Sequence, residues 1–471
     1  MSATATTRPD PSSATTRLSR SAVPDRERAP VRIAHLGLGN FSRAHQAWYT
    51  DRAPDAGRWG IAAFTGRSPS LAEALAPQDG LFTLVTRARD GDRFDVVGSL
   101  SAVHPASDHA AWLRYLRSAE LAVVTLTVTE AGYCRGADGS LDTGRADVRD
   151  DVAALRSDPG ATVQTMPGRL VAGLLARRSA AAGPIAVVPC DNLPQNGAVT
   201  ARVVRELASA VDPTLVPWID DSVSFVTTMV DRITPRTVDA DRDAVLAATG
   251  LSDEAPVVTE PFSEWVLSGE FPAGRPDWPA AGARVVDDVA PFEERKLWLL
   301  NGAHSLLAYG GTLRGHETVA DAVADPVCRG WITEWWDEAQ QHLELPAASV
   351  EPYRAALLER FANPGIRHQL AQIAADGSQK LAVRILPVLR AERAAGRVPP
   401  GATRALAAWV CHLRGEGAPL RDPAADELAR LAGGPLEAAV VAVLGFLDPD
   451  LAHDGVLVAA TARSAEELVR R

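Results

Sequence analysis

Lysine is almost absent from this chain, which makes its two lysines candidates for chemistry. Of the 48 basic residues only Lys296 and Lys380 are lysine, and the others are arginine. A guanidinium can replace an ammonium on a solvated surface, but it stays charged and cannot give up a proton. A lysine that persists against such a bias is a candidate for proton transfer. The alternative is that both persist by chance.

Lys296 begins the segment KLWLLNGAH, whose polar residues can act together. On an α-helix of about 100° per residue, Asn301 lies roughly 140° and His304 roughly 80° from Lys296. Partial burial on an apolar helix favours the neutral amine, which accepts a proton. An asparagine donates without titrating and suits a developing alkoxide, and a histidine orients a hydroxyl. The spacing predicts one broad catalytic face, with a structural polar groove as the alternative.

A glycine-rich turn follows the first β-prone run of the chain. Residues 31–36 lead into Gly37-Leu38-Gly39-Asn40-Phe41-Ser42. The two glycines match the first two of a dinucleotide-binding turn, one for the tight turn and one for close approach to a pyrophosphate. Ser42 stands in place of the third glycine. The segment predicts a dinucleotide site, and a plain strand-to-helix turn is the alternative.

The second strand-like run, residues 60–64, ends without the acid that would bond a ribose 2′-hydroxyl. Arg67 and Ser68 follow it instead. An arginine at this place accommodates a 2′-phosphate, whereas an acid favours NAD. The sequence therefore leaves NAD and NADP both open.

A polar loop, CDNLPQNG, follows the apolar run of residues 184–188. Ligands of open α/β sheets bind beyond the carboxyl ends of the strands, so Asp191 and Asn192 are expected where a nicotinamide and a substrate meet. The Asn196-Gly197 pair is interpreted as a turn. Weaker signals come from Glu130 after a strand, from the pair Asp231-Arg232, and from Lys380 behind a helix.

Strand-like and helix-like patterns alternate through the first part of the chain. Further apolar runs cover residues 81–86, 95–99 and 121–127, and helical patterns cover residues 108–117 and 163–178. Such alternation predicts parallel βαβ units, and from about residue 291 helical spacing dominates. We predict an α/β fold with a disordered tail over 1–29. A Rossmann-type, doubly wound dinucleotide-binding domain is expected over 30–287, and a mainly α-helical substrate and catalytic domain over 288–471.

The composition excludes several classes of protein. A net charge of −11 and a pI near 5.5 argue against binding to a nucleic-acid backbone. No apolar run approaches the roughly 18 residues of a membrane helix. The four cysteines lie far apart, which fits reduced thiols in a cytoplasmic protein. No His/Cys/Glu cluster shows zinc spacing. We expect no nucleic-acid partner, no membrane association and no metal.

Seven segments together resemble the mannitol dehydrogenase family, the long-chain, zinc-independent polyol dehydrogenases. They are GLGNFSRAHQAWY, LTVTEAGY, CDNLPQNG, TMVDRITP, EPFSEWV, KLWLLNGAHSLLAY and DGSQK. The resemblance runs from about Val31 almost to the C-terminus. It implies an oxidoreductase that uses NAD, with NADP not excluded, and no metal. The implied substrate is a small polyol or sugar acid, and the implied assembly is a monomer or a small homo-oligomer.

The resemblance also implies roles for individual residues. Lys296 would be the general acid/base, Asn192 and Asn301 would hold the reacting oxygen, and His304 would orient substrate. Further substrate-binding residues would be Asp231, Lys380, Gln372 and Glu130, the last on a proton or water path. Taken with the spacing arguments, the expected cofactor contacts are Gly37, Gly39, Phe41, Arg67 and Asp191. Ser42 and Ala303 depart from the family pattern, in which histidine and serine are usual.

One position separates branches of this family. Gln372 stands where mannitol-oxidising members tend to have arginine, and residues 368–380 resemble the hexuronate-reducing branch. The expected activity is that of a fructuronate reductase, a D-mannonate:NAD oxidoreductase. The alternatives are a mannitol 2-dehydrogenase, a mannitol-1-phosphate 5-dehydrogenase and, in another class, a non-catalytic NAD(H)-binding sensor.

Overall fold

The computed structural model describes residues 15–136 and 138–470. The chain divides into two compact units. The first unit comprises the chain up to Arg87 together with Gly91–Asp287, and the second comprises Ala88–Asp90 together with the chain from Asp288. Each unit carries part of the polar set that the sequence singles out.

The strands of the described residues all lie before residue 288. They are β1 (Thr16–Arg17), β2 (Val31–Leu38), β3 (Gly60–Thr65), β4 (Phe82–Ala88), β5 (Gly91–Val97), β6 (Leu100–His104), β7 (Val123–Leu126), β8 (Ile185–Pro189), β9 (Val223–Phe225), β10 (Thr227–Asp231), β11 (Leu251–Ser252), β12 (Val257–Thr259), β13 (Glu264–Ser268) and β14 (Arg284–Val285).

The largest sheet within these residues has six parallel strands in the order β6-β3-β2-β7-β8-β9. Numbered along the chain within the sheet, this is the order 3-2-1-4-5-6 of a dinucleotide-binding fold, and it reverses between β2 and β7. The predicted α/β, Rossmann-type architecture is confirmed. Because parallel strands end at one edge, the segments after β2, β3, β7 and β8 all lie at that edge.

Two runs that were predicted as part of the alternating pattern lie in a different sheet. Strands β4 and β5 belong to the three-stranded sheet β12-β4-β5. Only Arg89 and Asp90 separate these two strands, and so short a connection permits an antiparallel hairpin but no parallel crossover. The third strand of the parallel sheet is instead β6, which the apolar pattern does not reveal.

Helices cover both faces of the parallel sheet. Those of the first unit are Asn40–Ser42, Trp48–Arg52, Ser70–Leu75, His109–Leu116, Ala146–Ser157, Met166–Ser179, Asn196–Val211, Leu215–Ser222 and Asp239–Thr249, with a π-helical turn at Arg43–Ala47 and 3₁₀ turns at Ala56–Arg58, Ala76–Gln78 and Glu130–Tyr133. Alternate strand residues enter two separate cores. Ala34 and Leu36 pack with Trp112, whereas Ile33 packs with Tyr49 and Trp265.

The second unit is built from helices. They are Ala290–Arg295, Ala303–Leu306, Val319–Ala324, Pro326–Ala339, Ala347–Phe361, Leu370–Ile373, Gly377–Arg384, Leu386–Ala394, Pro400–Leu413, Ala425–Leu431, Leu436–Leu447, Pro449–Ala452 and Gly455–Val469, with π-helical turns at Lys296–Gly302 and Leu307–Gly311 and a 3₁₀ turn at Gln340–His342. The almost completely buried helix Pro400–Leu413 packs against Pro326–Ala339 and Gly455–Val469. This confirms a mainly helical second part.

The predicted disordered tail is wrong for residues 15–29. Strand β1 pairs in parallel with β11, and Leu18 is fully buried. The Arg20 guanidinium donates to the carbonyl oxygens of Arg26, Glu27, Gly98 and Leu100 at 2.5–3.1 Å. One buried leucine and one multiply bonded arginine therefore order a stretch whose composition is polar. Residues 1–14 of the predicted tail lie outside the described residues.

Among the described residues, no helix combines the length and the apolar character needed to cross a membrane. All four cysteines are free and buried.

Candidate active site

The glycine turn after β2 has the backbone that a dinucleotide site needs. Gly37 has a φ of +102°, and a Cβ there would lie 2.0 Å from the carbonyl oxygen of Thr127, so only glycine fits. At Gly39 a Cβ would meet no atom closer than 3.8 Å, which leaves that side of the turn open. This open backbone fits the approach of a pyrophosphate.

Ser42 explains how the turn works without a third glycine. Its hydroxyl accepts a hydrogen bond from the Gly39 N–H at 3.0 Å and donates to the Gly39 carbonyl at 3.2 Å. The serine thus closes the turn through its side chain. Phe41, an expected cofactor contact, stacks on His45 with ring centroids 4.9 Å apart.

Tyr133 and Asp191 join the loops that follow β7 and β8. The buried Tyr133 hydroxyl donates to Asp191, whose other oxygen accepts the Leu193 N–H at 3.2 Å. Burial raises the pKa of the Asp191 carboxyl to about 6, and burial beside Asp191 raises the pKa of Tyr133 well above its usual value. Near neutrality the tyrosine is therefore a donor. The adjacent Asn192 is exposed.

Asn196, interpreted from the sequence as part of a simple turn, is a buried connector. Its amide nitrogen donates to the Thr228 carbonyl and its oxygen accepts the Thr228 N–H, each at 2.9 Å. Thr228 in turn donates from its hydroxyl to the Pro189 carbonyl at 2.6 Å. These bonds tie the end of β8 to β10, at whose end the buried Asp231 lies.

The tyrosine–aspartate pair yields a prediction about the loop that carries Asn192. Tyr133→Phe removes the hydrogen bond that lowers the pKa of Asp191, so that pKa is expected to rise further above about 6. Ionised Asp191 then forms only at higher pH, and the loop loses an anchor. We expect the acid limb of the pH–rate profile to move to higher pH and kcat to fall about tenfold.

The matched control is Tyr115→Phe in the same unit. The Tyr115 hydroxyl is hydrogen-bonded to His104 Nε2 at 3.3 Å, at the end of β6, and three strands separate β6 from β8 in the sheet. This variant should leave the pH profile unchanged. A Tyr133→Phe enzyme with the wild-type profile and kcat would show that Tyr133 does not position the loop.

Lys296 and Asn301 lie on a π-helical turn, not on the regular α-helix that the sequence predicts. The turn Lys296–Gly302 bonds residue i to residue i+5. Residues five apart therefore lie nearer to one face than on an α-helix, and the 140° separation expected for an α-helix does not apply. Both side chains are half-buried. The angle between Lys296 and Asn301 around the helix axis is therefore smaller than the sequence predicts.

Two buried tryptophans hold this turn. Trp335 and Trp336 donate their indole N–H groups to the carbonyl oxygens of Trp298 and Leu299, both at 2.8 Å. A wide helical turn leaves carbonyl groups that need partners in a dry core. The tryptophans supply those partners from another helix, Pro326–Ala339.

His304 follows the turn and is buried. Its ring lies 4.8 Å from that of Phe361 and 5.0 Å from that of His368. Burial above all, and then the charges of His368, Arg384 and Arg360, hold the pKa of His304 well below its usual value. The neutral ring has no hydrogen-bond partner at Nε2 within the described residues. It is suited to bonding a substrate hydroxyl.

The segment after Gly377 supports this helix from the side. Arg384 donates to the Asn301 carbonyl at 3.4 Å and to the Ser305 hydroxyl at 3.2 Å. Arg384 could have been identified from the sequence, because it lies four residues after Lys380 and so shares its helical face. Lys380 donates to the carbonyls of Ile373 and Ala375 at 3.3 and 2.6 Å, and Gln372 is exposed.

One cluster of metal-ligand types occurs among the described residues, and the sequence spacing did not reveal it. His316, Asp325 and Cys328 have ligand atoms within 4.8 Å of one another. The Arg314 guanidinium also lies 2.6 Å from the Asp325 carboxylate, and burial raises the pKa of the Cys328 thiol to about 12. A competing cation and a protonated thiol both oppose metal binding.

Comparison with known proteins shows the family to which this architecture belongs. A sequence model of the mannitol dehydrogenase Rossmann domain matches residues 31–280, and one of the mannitol dehydrogenase C-terminal domain matches residues 288–469. The D-mannonate oxidoreductase of Escherichia coli strain K12 is 35% identical over 466 residues, 95% of each chain. The D-arabinitol 4-dehydrogenase of Ralstonia nicotianae is 39% identical over 394 residues, 81% of this chain and 82% of that one.

A solved structure agrees with these relatives. Pseudomonas fluorescens mannitol 2-dehydrogenase, in a ternary complex with NAD and D-mannitol, matches with a TM-score of 0.79 at 33% identity, covering 97% of this chain and 95% of that one. The protein is an oxidoreductase with a Rossmann-type domain and a helical C-terminal domain. It belongs to the mannitol dehydrogenase family.

Proposed function

We propose that the protein is a nicotinamide-dependent dehydrogenase of linear sugar acids, with D-mannonate and fructuronate as the substrate pair. The observation that carries the proposal is the π-helical turn that brings Lys296 and Asn301 toward one face, with the neutral His304 following. A bound nicotinamide would accept or supply the hydride. We further propose that the protein needs no metal.

In the proposed reaction Lys296 takes the hydroxyl proton during oxidation and returns it during reduction. Asn301 and Asn192 donate hydrogen bonds to the oxygen as negative charge develops there, an effect of about 3 kcal/mol per donor in comparable sites. His304 bonds a neighbouring hydroxyl as a neutral ring. Asp231 and Lys380 bind further hydroxyls, and Glu130 serves the proton path.

The preference for an acid over a neutral polyol rests on charge. Arg360 and Arg384 both act electrostatically on His304, and Lys380 acts on His368. A carboxylate at the end of a sugar chain gains charge-assisted hydrogen bonds in such surroundings, whereas a hydroxymethyl group does not. The E. coli relative named D-mannonate oxidoreductase supports the same choice.

Mannitol 2-dehydrogenase is the second candidate. It is supported by the likeness to the solved complex of that enzyme with NAD and D-mannitol. We also propose a cytoplasmic location, supported by four free, buried cysteines, and a monomeric or small homo-oligomeric state.

A substrate panel tests the proposal. Oxidation of NADH and of NADPH would be followed by absorbance with fructuronate, tagaturonate and fructose, with Lys296→Met as the blank for non-enzymatic turnover. We expect kcat/KM for fructuronate to exceed that for fructose at least about tenfold, the equivalent of one good interaction. A preference for fructose would establish the second candidate. Silence with all three, despite dinucleotide binding, would identify a sensor.

A further inference from the structure

The segment after β3 lies where proteins of this fold contact the adenosine ribose of a dinucleotide. Strand β3 lies next to β2, on the side away from β7, and ends at Thr65. In sheets of this order a side chain after the second strand contacts the 2′ position of that ribose. An acid bonds the hydroxyl of NAD, and an arginine accommodates the phosphate of NADP.

No acid is available there to bond a 2′-hydroxyl. The first acid after β3 is Glu73, which is exposed in the helix Ser70–Leu75. The acid that follows the neighbouring strand β6 is Asp108, and it is already engaged. Its carboxylate bonds His104 Nδ1 at 2.8 Å and accepts the Ala111 N–H at 3.0 Å.

Arg67 is available instead. Its side chain is exposed, and in the described part of the chain its guanidinium has no hydrogen-bond or ion-pair partner. A Cβ added at the preceding Gly66 would meet no atom within 4 Å, so the space around this segment is open. The Ser68 hydroxyl lies 2.9 Å from the hydroxyl of Ser70, the first residue of the helix Ser70–Leu75. One guanidinium and two hydroxyls match a phosphate monoester dianion.

We propose that Arg67, with Ser68 and Ser70, binds the 2′-phosphate of NADP(H), so that the protein binds NADPH more tightly than NADH. This inference rests on the proposed dinucleotide site. The phosphate replaces the hydration of an exposed arginine with two charge-assisted hydrogen bonds. The hydroxyls bond its remaining oxygens. NADH offers only a neutral hydroxyl to the same three groups.

Direct binding measurements test the inference without turnover. Isothermal titration of the full chain with NADPH, NADH, adenosine 2′,5′-bisphosphate and AMP should give Kd values at least tenfold lower for each 2′-phosphorylated ligand than for its partner. Arg67→Ala should remove most of that difference by weakening NADPH while leaving NADH unchanged. Arg67→Asp should reverse the preference.

Arg58→Ala is the matched control. Arg58 is also exposed and without a partner among the described residues, but it precedes β3 at the opposite end of the strand. The Arg58→Ala variant should show the same ratio of the NADPH Kd to the NADH Kd as the wild type. Tighter binding of NADH by the wild type, or a preference for NADPH that survives Arg67→Ala, would overturn the inference and leave the proposed function intact. Failure to bind either dinucleotide would overturn both.

Discussion

Replacing Lys296 with methionine is expected to lower kcat by about a thousandfold or more and to leave the Kd for dinucleotide unchanged. General acid/base catalysis by one positioned group contributes about a hundredfold to ten-thousandfold. Methionine keeps the length and the apolar stem of lysine but carries no proton. The glycine turn of the first unit, which forms the proposed dinucleotide site, is untouched. Steady-state kinetics with isothermal titration of the same preparation checks both halves of the expectation.

Lys296→Arg separates charge from proton transfer. An arginine restores a positive charge and hydrogen-bond donors, but it stays protonated and cannot act as a base. If the amine transfers the proton, the arginine variant is as inactive as the methionine variant. If the residue merely attracts an anionic substrate, arginine restores most of the activity and raises only KM. Turnover within tenfold of wild type in either variant would show that Lys296 is not the group that transfers the proton.

The parts of this site that the sequence predicts are those encoded locally. The two glycines follow the first strand directly, and Asp191 and Asn192 follow another strand of the same sheet. Strand polarity alone places such segments at one edge. The rarity of lysine singled out Lys296 because arginine cannot replace a titrating amine. These inferences need no knowledge of tertiary contacts.

The parts that the sequence does not predict depend on distant contacts. Tyr133 meets Asp191 across 58 positions, and Trp335 reaches the carbonyl of Trp298 across 37. No helical periodicity encodes the π-helical turn, because the donors that satisfy its carbonyls belong to another helix. The ordered structure of residues 15–29 likewise depends on the burial of Leu18 in a core, which the polar composition of this segment does not predict.

Among residues that bear no reactive group, Gly302 is the one whose replacement is expected to lower kcat most, in the variant Gly302→Ala. Gly302 ends the π-helical turn, and a Cβ there would lie 2.7–2.9 Å from three atoms of the Trp335 indole. That indole is rigid and is fixed by its bond to the Trp298 carbonyl. The added methyl must therefore displace the turn itself. We expect a stability loss of about 1–3 kcal/mol and a fall in kcat of about a hundredfold, because small misplacements are costly to catalysis.

Gly330→Ala is the control for a methyl added to a helix of the same unit. Gly330 lies within Pro326–Ala339, and its Cβ would meet nothing within 4 Å. Alanine is the better helix former, so this variant should be slightly more stable and fully active. Urea unfolding and steady-state kinetics of the two variants compare stability with catalysis. A Gly302→Ala enzyme with wild-type kcat would show that the turn does not position Lys296 and Asn301.

A double-mutant cycle with Trp335→Phe identifies the cause of the loss. The phenyl ring lacks the indole nitrogen, one of the atoms that the new methyl would meet, and it also lacks the donor that holds the Trp298 carbonyl. Trp335→Phe alone should therefore lower kcat, because an unpaired buried carbonyl destabilises the turn. If the clash with the indole is what disables Gly302→Ala, the double variant loses less activity than the two single losses combined, since the two residues are in contact. Strict additivity of the two losses would instead mean that they act on the turn independently.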